Sequence, residues 1–231
     1  MTSRTTAAAM IVAAALVNIA FAVLGAVFDY PDVLGHPPAE VLATFGAAEV
    51  TVAGWFAVLA LGAALQAPIA IGVGRLSDAR AMRWAVPVGI AAAVVQVIGL
   101  LRWPLLVPGW AAAAAGGDPS AVDSFATANR VLGTIVGETG GYVLTAGWTA
   151  LVLVALGGRF AGRAFTVLGA VAAALILLGV LSPLDFPLVD LANFAGYVLW
   201  SVWLVVFAGI LLIRARRQTS SSARVRATST S

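Results

Sequence analysis

The chain contains no cysteine and no lysine, and among its 231 residues there is one histidine, His36. Without cysteine it cannot form a disulfide, a zinc ribbon or a thiol nucleophile. Without lysine it has no Schiff-base amine, no P-loop cation and no anchor for pyridoxal phosphate. A single histidine also excludes paired-histidine metal sites, bis-histidine haem and His-centred triads. Charge is scarce as well: 10% of the residues are Asp, Glu, Lys or Arg, and 61% are hydrophobic. A soluble domain carries roughly 25% charged residues, so these few cannot cover a water-facing surface. The composition is that of an integral membrane protein.

A bilayer core about 30 Å thick needs about 20 apolar residues in a helix. Six uncharged stretches approach that length, at residues 7–27, 50–74, 85–101, 140–156, 165–181 and 191–213. The third and fourth are short, so they are expected to continue outward through Arg102 and Glu138. Lys and Arg accumulate in cytoplasmic loops, and here arginine sorts by alternate loops. With a cytoplasmic N-terminus, 11 of the 13 arginines fall inside, and only Arg102 and Arg130 fall outside with nine of the ten acids. The expected fold is therefore an all-α integral membrane protein, a bundle of six transmembrane helices with both termini cytoplasmic. A cleaved signal peptide is the rival reading of the first stretch, but a signal core of about 7–15 residues is shorter than this 21-residue run, which favours a retained anchor.

Residues 1–213 then form one transmembrane domain. Residues 214–231, five arginines among Ser, Thr and Ala, are expected to be a disordered basic cytoplasmic tail lying against anionic lipid, with protein docking as the alternative. The basic balance is thus topological and implies no nucleic acid. Arginine without lysine, beside abundant Ala, Gly and Val, fits a GC-rich genome.

The outer loops carry the unusual residues. In loop 1, Phe28-Asp29-Tyr30-Pro31-Asp32 leads through His36 to Pro37-Pro38-Ala39-Glu40, followed by Val41, Leu42 and Phe45 at helical spacing. Pro38 suits a first helical turn and Glu40 its positive end, which predicts an interfacial helix ending near Gly46. Loop 2 begins Leu101-Arg102-Trp103-Pro104 and reaches Asp118-Pro119, where Asp is a natural N-cap and Pro a first-turn residue. A second interfacial helix is expected there, running on into the fourth span.

From that start Arg130, Thr134, Glu138, Tyr142, Thr145 and Thr149 recur at intervals of three or four and share one helical face. Asp190, Asn193, Tyr197 and Ser201 form a second such stripe in the sixth span. Asn18, Gln66 and Gln96 add isolated polar groups, while the fifth span is almost purely aliphatic and is expected to be scaffolding or lipid-exposed. Gly133, Gly137 and Gly141 make two small-xxx-small steps, which permit close helix packing within the bundle or a homodimer contact. An unpaired charge costs a few kcal/mol at the bilayer centre and less toward the boundary, so Arg102 is expected to pair with Glu138, or otherwise with Glu49.

One reading of this cluster is a buried bridge that fixes helix register. The sharper reading is an outward-facing polar pocket in which Arg102 recognises an anion or lipid headgroup, with Glu138, Tyr142, Tyr197, Glu49, Asn193 and Trp103 as the other candidate ligand-binding residues. Proton coupling through Glu138 or Glu49 lacks the repeat or broken helices that alternating access uses. Hydrolysis at Ser201, Ser182 or Thr145 lacks a base. Asp29, Asp32 and Glu40 have no dedicated cation spacing. No enzyme, cofactor or metal site is therefore expected.

The segments Phe28-Asp29-Tyr30-Pro31-Asp32-Val33-Leu34, Leu100 to Pro108 and Gly137-Glu138-Thr139-Gly140-Gly141-Tyr142 resemble those of a group of bacterial multi-pass membrane proteins known only as a domain of unknown function. The similarity covers most of residues 7–213. The resemblance implies a multi-pass inner (plasma) membrane protein and brings no activity with it. It also implies a histidine after the Gly-Glu pair, where this chain has Thr139, so histidine chemistry is not carried over. The expected function is binding or transport of a small amphiphilic or anionic ligand at the outer leaflet, among membrane lipids. The alternative is a non-catalytic subunit or sensor whose outer face docks a protein partner.

Because the chain has no cysteine, its topology is directly testable. Introduced as Ser120→Cys, a loop 2 thiol is expected to react with a membrane-impermeant maleimide in intact cells, while Ser77→Cys in the first inner loop reacts only after lysis. The opposite pattern would reverse the orientation.

Overall fold

A computed structural model describes residues 1–184 and 186–228, with side chains to 217; Asp185, one of the expected outer acids, lies outside the described residues, as do 229–231. The described residues are helical with no strand, and six helical stretches are long and apolar enough to cross a membrane: Ser3–Phe28, Glu49–Leu76, Arg80–Ala115, Pro119–Leu156, Gly158–Leu184 and Val189–Arg217. The third and fourth do extend through Arg102 and Glu138. Across the six stretches Ile19, Leu61, Val94, Val154 and Val202 are exposed, large apolar side chains that a water-soluble protein would bury.

Helix α1 (Ser3–Phe28) opens on a Thr2 capping box and stops where Asp29 turns left-handed, φ 52°. The chain then makes a short turn and enters α2 (Pro38–Ala47), with Pro38 in the first turn as the sequence predicts. The second span is broken in two, α3 (Glu49–Ala64) and α4 (Gln66–Val73). Pro68 has no N–H to donate to the Ala64 carbonyl, which accounts for the break at Leu65. Helices α5 (Arg80–Leu105) and α6 (Val107–Ala115) make the third span, and Asp118 caps α7 (Pro119–Ala128) by accepting from the Ser120 N–H at 2.9 Å and its hydroxyl at 2.7 Å. These bonds hold the exposed Asp118 carboxyl below the usual carboxylate range.

Residues Asn129–Gly140 form a π-helix that joins α7 to α8 (Gly141–Leu156) without a break. Helix α9 (Gly158–Leu178) follows, and α10 (Val189–Thr228) closes the bundle. Helix α10 runs on into the basic segment as far as Thr228.

Two apolar clusters organise the interior. At the end where α2, α6 and α7 cap the bundle, Phe28, Phe45, Phe56, Trp103 and Phe125 pack together, with Trp103 stacked on Phe56 at 4.7 Å. At the arginine-rich end, Met10, Ile69, Met82, Trp148, Trp203 and Phe207 form the second. The stratum between them holds most of the buried polar side chains. Helices α5 and the π-helix cross there at their closest, because Gly99 and Gly137 lack side chains: a Cβ on Gly99 would lie 2.7 Å from the Gly137 Cα.

Gly99→Ala is expected to lower thermal stability in detergent by about 1–3 kcal/mol, the usual cost of overpacking. At Gly54 an added Cβ meets nothing within 4 Å, so Gly54→Ala should be neutral or slightly stabilising through helix propensity. Equal effects at the two positions would argue against the close crossing.

Candidate functional site

The site is built where α5, the π-helix, α8 and α10 meet beneath the cap. Arg102 lies in the last turn of α5 and is 4% exposed. One terminal nitrogen of its guanidinium donates to the Gly99 carbonyl, and the other donates to Asn129 Oδ1 at 2.8 Å. Its Nε finds no partner. The guanidinium carbon stands 5.1 Å from the Trp103 ring centre, and Gly133 lies directly against it: a Cβ there would meet the guanidinium at 2.7 Å.

The contact expected between Arg102 and Glu138 is therefore not a direct ion pair. Two N–H groups are used by a backbone carbonyl and a neutral amide, while Glu138 is near enough only for electrostatic interaction. Helix geometry explains this. Asn129 and Glu138 are nine residues apart, two and a half turns of α-helix at 3.6 residues each, which would set them on opposite sides. The wider i→i+5 bonding of a π-helix brings nine residues close to about two turns, so both side chains turn toward the Arg102 side. π-Helices are rare and frequently accompany functional sites.

Arg102, Tyr30, Tyr142, Tyr197 and Asp190 are all close enough to Glu138 to interact with its charge at longer range. The Glu138 side chain makes no hydrogen bond among the described residues. The Tyr142 and Tyr197 rings approach to 6.0 Å, so the two polar stripes meet here. Tyr30 enters from the cap, its ring against Phe21 and, at 5.1 Å, against Phe56. Burial raises the Tyr30 phenol above its ordinary range, the Glu138 charge reinforces this, and the Arg102 charge opposes it. Tyr30 thus stays a neutral hydroxyl at physiological pH, able to donate and to accept.

Of the residues singled out from sequence, Arg102, Glu138, Tyr142 and Tyr197 come together. Asn193 lies nearby but is engaged, its Nδ2 donating to the Ile176 carbonyl at 2.8 Å, with Gly179 leaving the space it occupies. Trp103 is fully buried in the aromatic cluster and serves as the floor under Arg102 rather than as an open wall. Glu49 is exposed in the first turn of α3 and Arg130 is exposed on the π-helix, neither of them pointing into the cluster. The glycine stripe is occupied inside the chain: Gly133 meets Arg102, Gly137 meets Gly99 and Gly141 meets Gln96.

Sequence reading missed two members, Tyr30 and Asn129. Tyr30 sits in a loop without periodicity, and Asn129 lies off the face that α-helical spacing assigns to Glu138. The buried Arg102 was the available signal for Asn129, since such a group requires hydrogen-bond acceptors wherever they arise.

Gly133→Ala should push the guanidinium off Asn129 and lower stability by about 1–3 kcal/mol, the cost of leaving a buried donor unmade; Gly109→Ala, with open space around it, is the control. Equal melting of the two variants would contradict the placement of Arg102. No family model, curated protein or solved structure matches the chain, so the chemistry of the site is read from its own geometry.

Proposed function

We propose that this is a non-enzymatic bacterial inner-membrane protein, with both termini cytoplasmic and the capped end facing outward, and that it binds or transports a small amphiphilic or anionic ligand at the outer leaflet. The observation that carries this reading is Arg102: a guanidinium 4% exposed, with its Nε unpartnered and no carboxylate in direct contact among the described residues. A buried ion in that condition lacks its complement, and an anionic oxygen is what a guanidinium takes best. Glu138, Tyr30, Tyr142 and Tyr197 supply the rest. The carboxylate accepts from a hydroxyl or ammonium of the ligand, and the phenols donate or accept beside it. A headgroup carrying both an anionic oxygen and a donor fits this set, with its apolar part left to the surrounding lipid.

The likeness of the three motifs to bacterial multi-pass proteins of unknown function belongs to the same proposal and brings no activity with it. In this orientation the interfacial helices α2, α6 and α7 roof the site on the periplasmic or external side.

Native mass spectrometry of protein extracted gently from its own membranes tests the reading. The wild type is expected to retain a bound amphiphile or anion, and Arg102→Gln to hold it about tenfold or more weakly, the loss of one charge-assisted contact. A wild type that carries no adduct, with Arg102→Gln more stable than the wild type, would make Arg102 a structural residue only. An adduct that is another protein would favour a docking subunit instead.

A further inference from the structure

Beyond the Arg102 cluster, the polar stratum contains a second feature. Between α1, α3, α5, α8 and α10 lies a cavity of about 40 Å³. Small residues of α1 and α3, Ala13, Ala14, Gly62 and Ala63, leave the space. Its polar walls are Gln66, Gln96, Thr145, Tyr197, Trp200 and Ser201. Most of these are tied to one another or to neighbours. Gln96 Nε2 donates to Thr145 Oγ1 at 3.2 Å, Trp200 Nε1 donates to Thr149 Oγ1 at 2.9 Å, and Asn18 Nδ2 donates to Ser201 Oγ at 2.9 Å.

Gln66 is the exception. It is 4% exposed, and neither its Oε1 nor its Nε2 has a partner. A primary amide buried with both ends unmade is costly. It also sits at the break between α3 and α4, where Pro68 leaves the Ala64 carbonyl without its helical donor. Interrupted helix at membrane depth is tolerated where it lines a water-filled cavity. A cavity needs only about 10–15 Å³ per water when two to four polar groups line it, and this one is both roomy and polar enough.

We infer that the cavity is a water-binding site, holding two or three ordered waters that join the Gln66 amide to Ser201, Tyr197 and the Gln96–Thr145 pair. Its occupant is neutral and hydrogen-bonding, because no charged side chain lines the walls. Thr145 follows Glu138 by seven residues on the same helical run, roughly 10 Å along the axis, and Tyr197 belongs to both places. The waters therefore extend the polar region from the Arg102–Glu138 cluster toward the middle of the membrane. Beyond the cavity, toward the arginine-rich end, lies the apolar cluster of Met10, Ile69, Trp148 and Trp203. Gln66 requires this solvent whatever the capped-end cluster binds, so the two proposals fail separately.

Hydroxyl-radical footprinting by synchrotron X-rays, in which bound water is the radical source, reads this directly. In the wild type, Tyr197 and Trp200 are expected to be oxidised well above Trp148 and Trp203. In Gln66→Met, close in shape but without the amide, their labelling should fall toward that of the two dry-core tryptophans. Labelling unchanged by Gln66→Met, together with a higher melting temperature as the unpaired amide is removed, would overturn the inference. If that variant does not fold, a wild-type density map fine enough to show solvent decides: peaks within hydrogen-bonding distance of both Gln66 amide atoms support it, and an empty cavity overturns it.

Discussion

The arrangement at the capped end depends on how a single guanidinium is accommodated with no carboxylate touching it among the described residues. Arg102 is held by the Gly99 carbonyl of its own helix and by Asn129 from the facing one. For Asn129 to reach it, α5 and the fourth span must approach closely, which the Gly99–Gly137 contact and the bare Gly133 allow. For Glu138 to remain on the same side as Asn129, the intervening backbone must widen into a π-helix. Substituting any of these glycines or regularising that stretch would separate the groups that now converge. The geometry gives the five N–H groups of Arg102 two acceptors and leaves its Nε unpartnered, while among the described residues the Glu138 side chain has neighbours but no hydrogen bond.

The dry clusters on either side make this stratum a confined one. The aromatic cap of Phe28, Phe45, Phe56, Trp103 and Phe125 limits how far Arg102 can turn toward water, and Trp103 beneath the guanidinium offers its ring face to the cation. At the other end Trp148, Trp203 and Phe207 pack edge to face and tilted against one another. Between them lie Glu138, three tyrosines, two glutamines and the hydroxyls of Thr145, Thr149 and Ser201. Helices do not associate in lipid through hydrophobic burial, and hydrogen bonds across helices together with close glycine contacts take its place. Asn18 to Ser201, Gln96 to Thr145 and Trp200 to Thr149 do this between different spans.

Much of this was legible in the residues, and what was not has a physical reason. Span positions follow from the length of uncharged runs. Asp118-Pro119 declares its cap, and Pro38 its first turn. The stripes at Tyr142 and Tyr197 meet because both follow an α-helical period in regions that are α-helical. The period fails between Asn129 and Gly140, where nothing in the local sequence signals i→i+5 bonding, and with it failed the pairing of Arg102 with Glu138. Tyr30 and Asn129 reach the site through contacts distant along the chain, which periodicity cannot show. Trp103 illustrates a different limit: a tryptophan beside an arginine reads equally as pocket wall or as packing, and only its complete burial among four phenylalanines assigns it. Gln66 stood out as an isolated polar residue, but its lack of any partner is a property of the packed bundle alone.

The central claim is that Arg102 is held chiefly by Asn129 across the π-helix and interacts with Glu138 only at longer range. Paired double-mutant cycles on thermal or denaturant stability measure this most directly, one combining Arg102→Gln with Asn129→Ala and the other combining it with Glu138→Gln. The account predicts a coupling of about 1–3 kcal/mol with Asn129, as for a hydrogen bond to a charged group, and a clearly smaller one with Glu138. Strong coupling to Glu138 with none to Asn129 would contradict it.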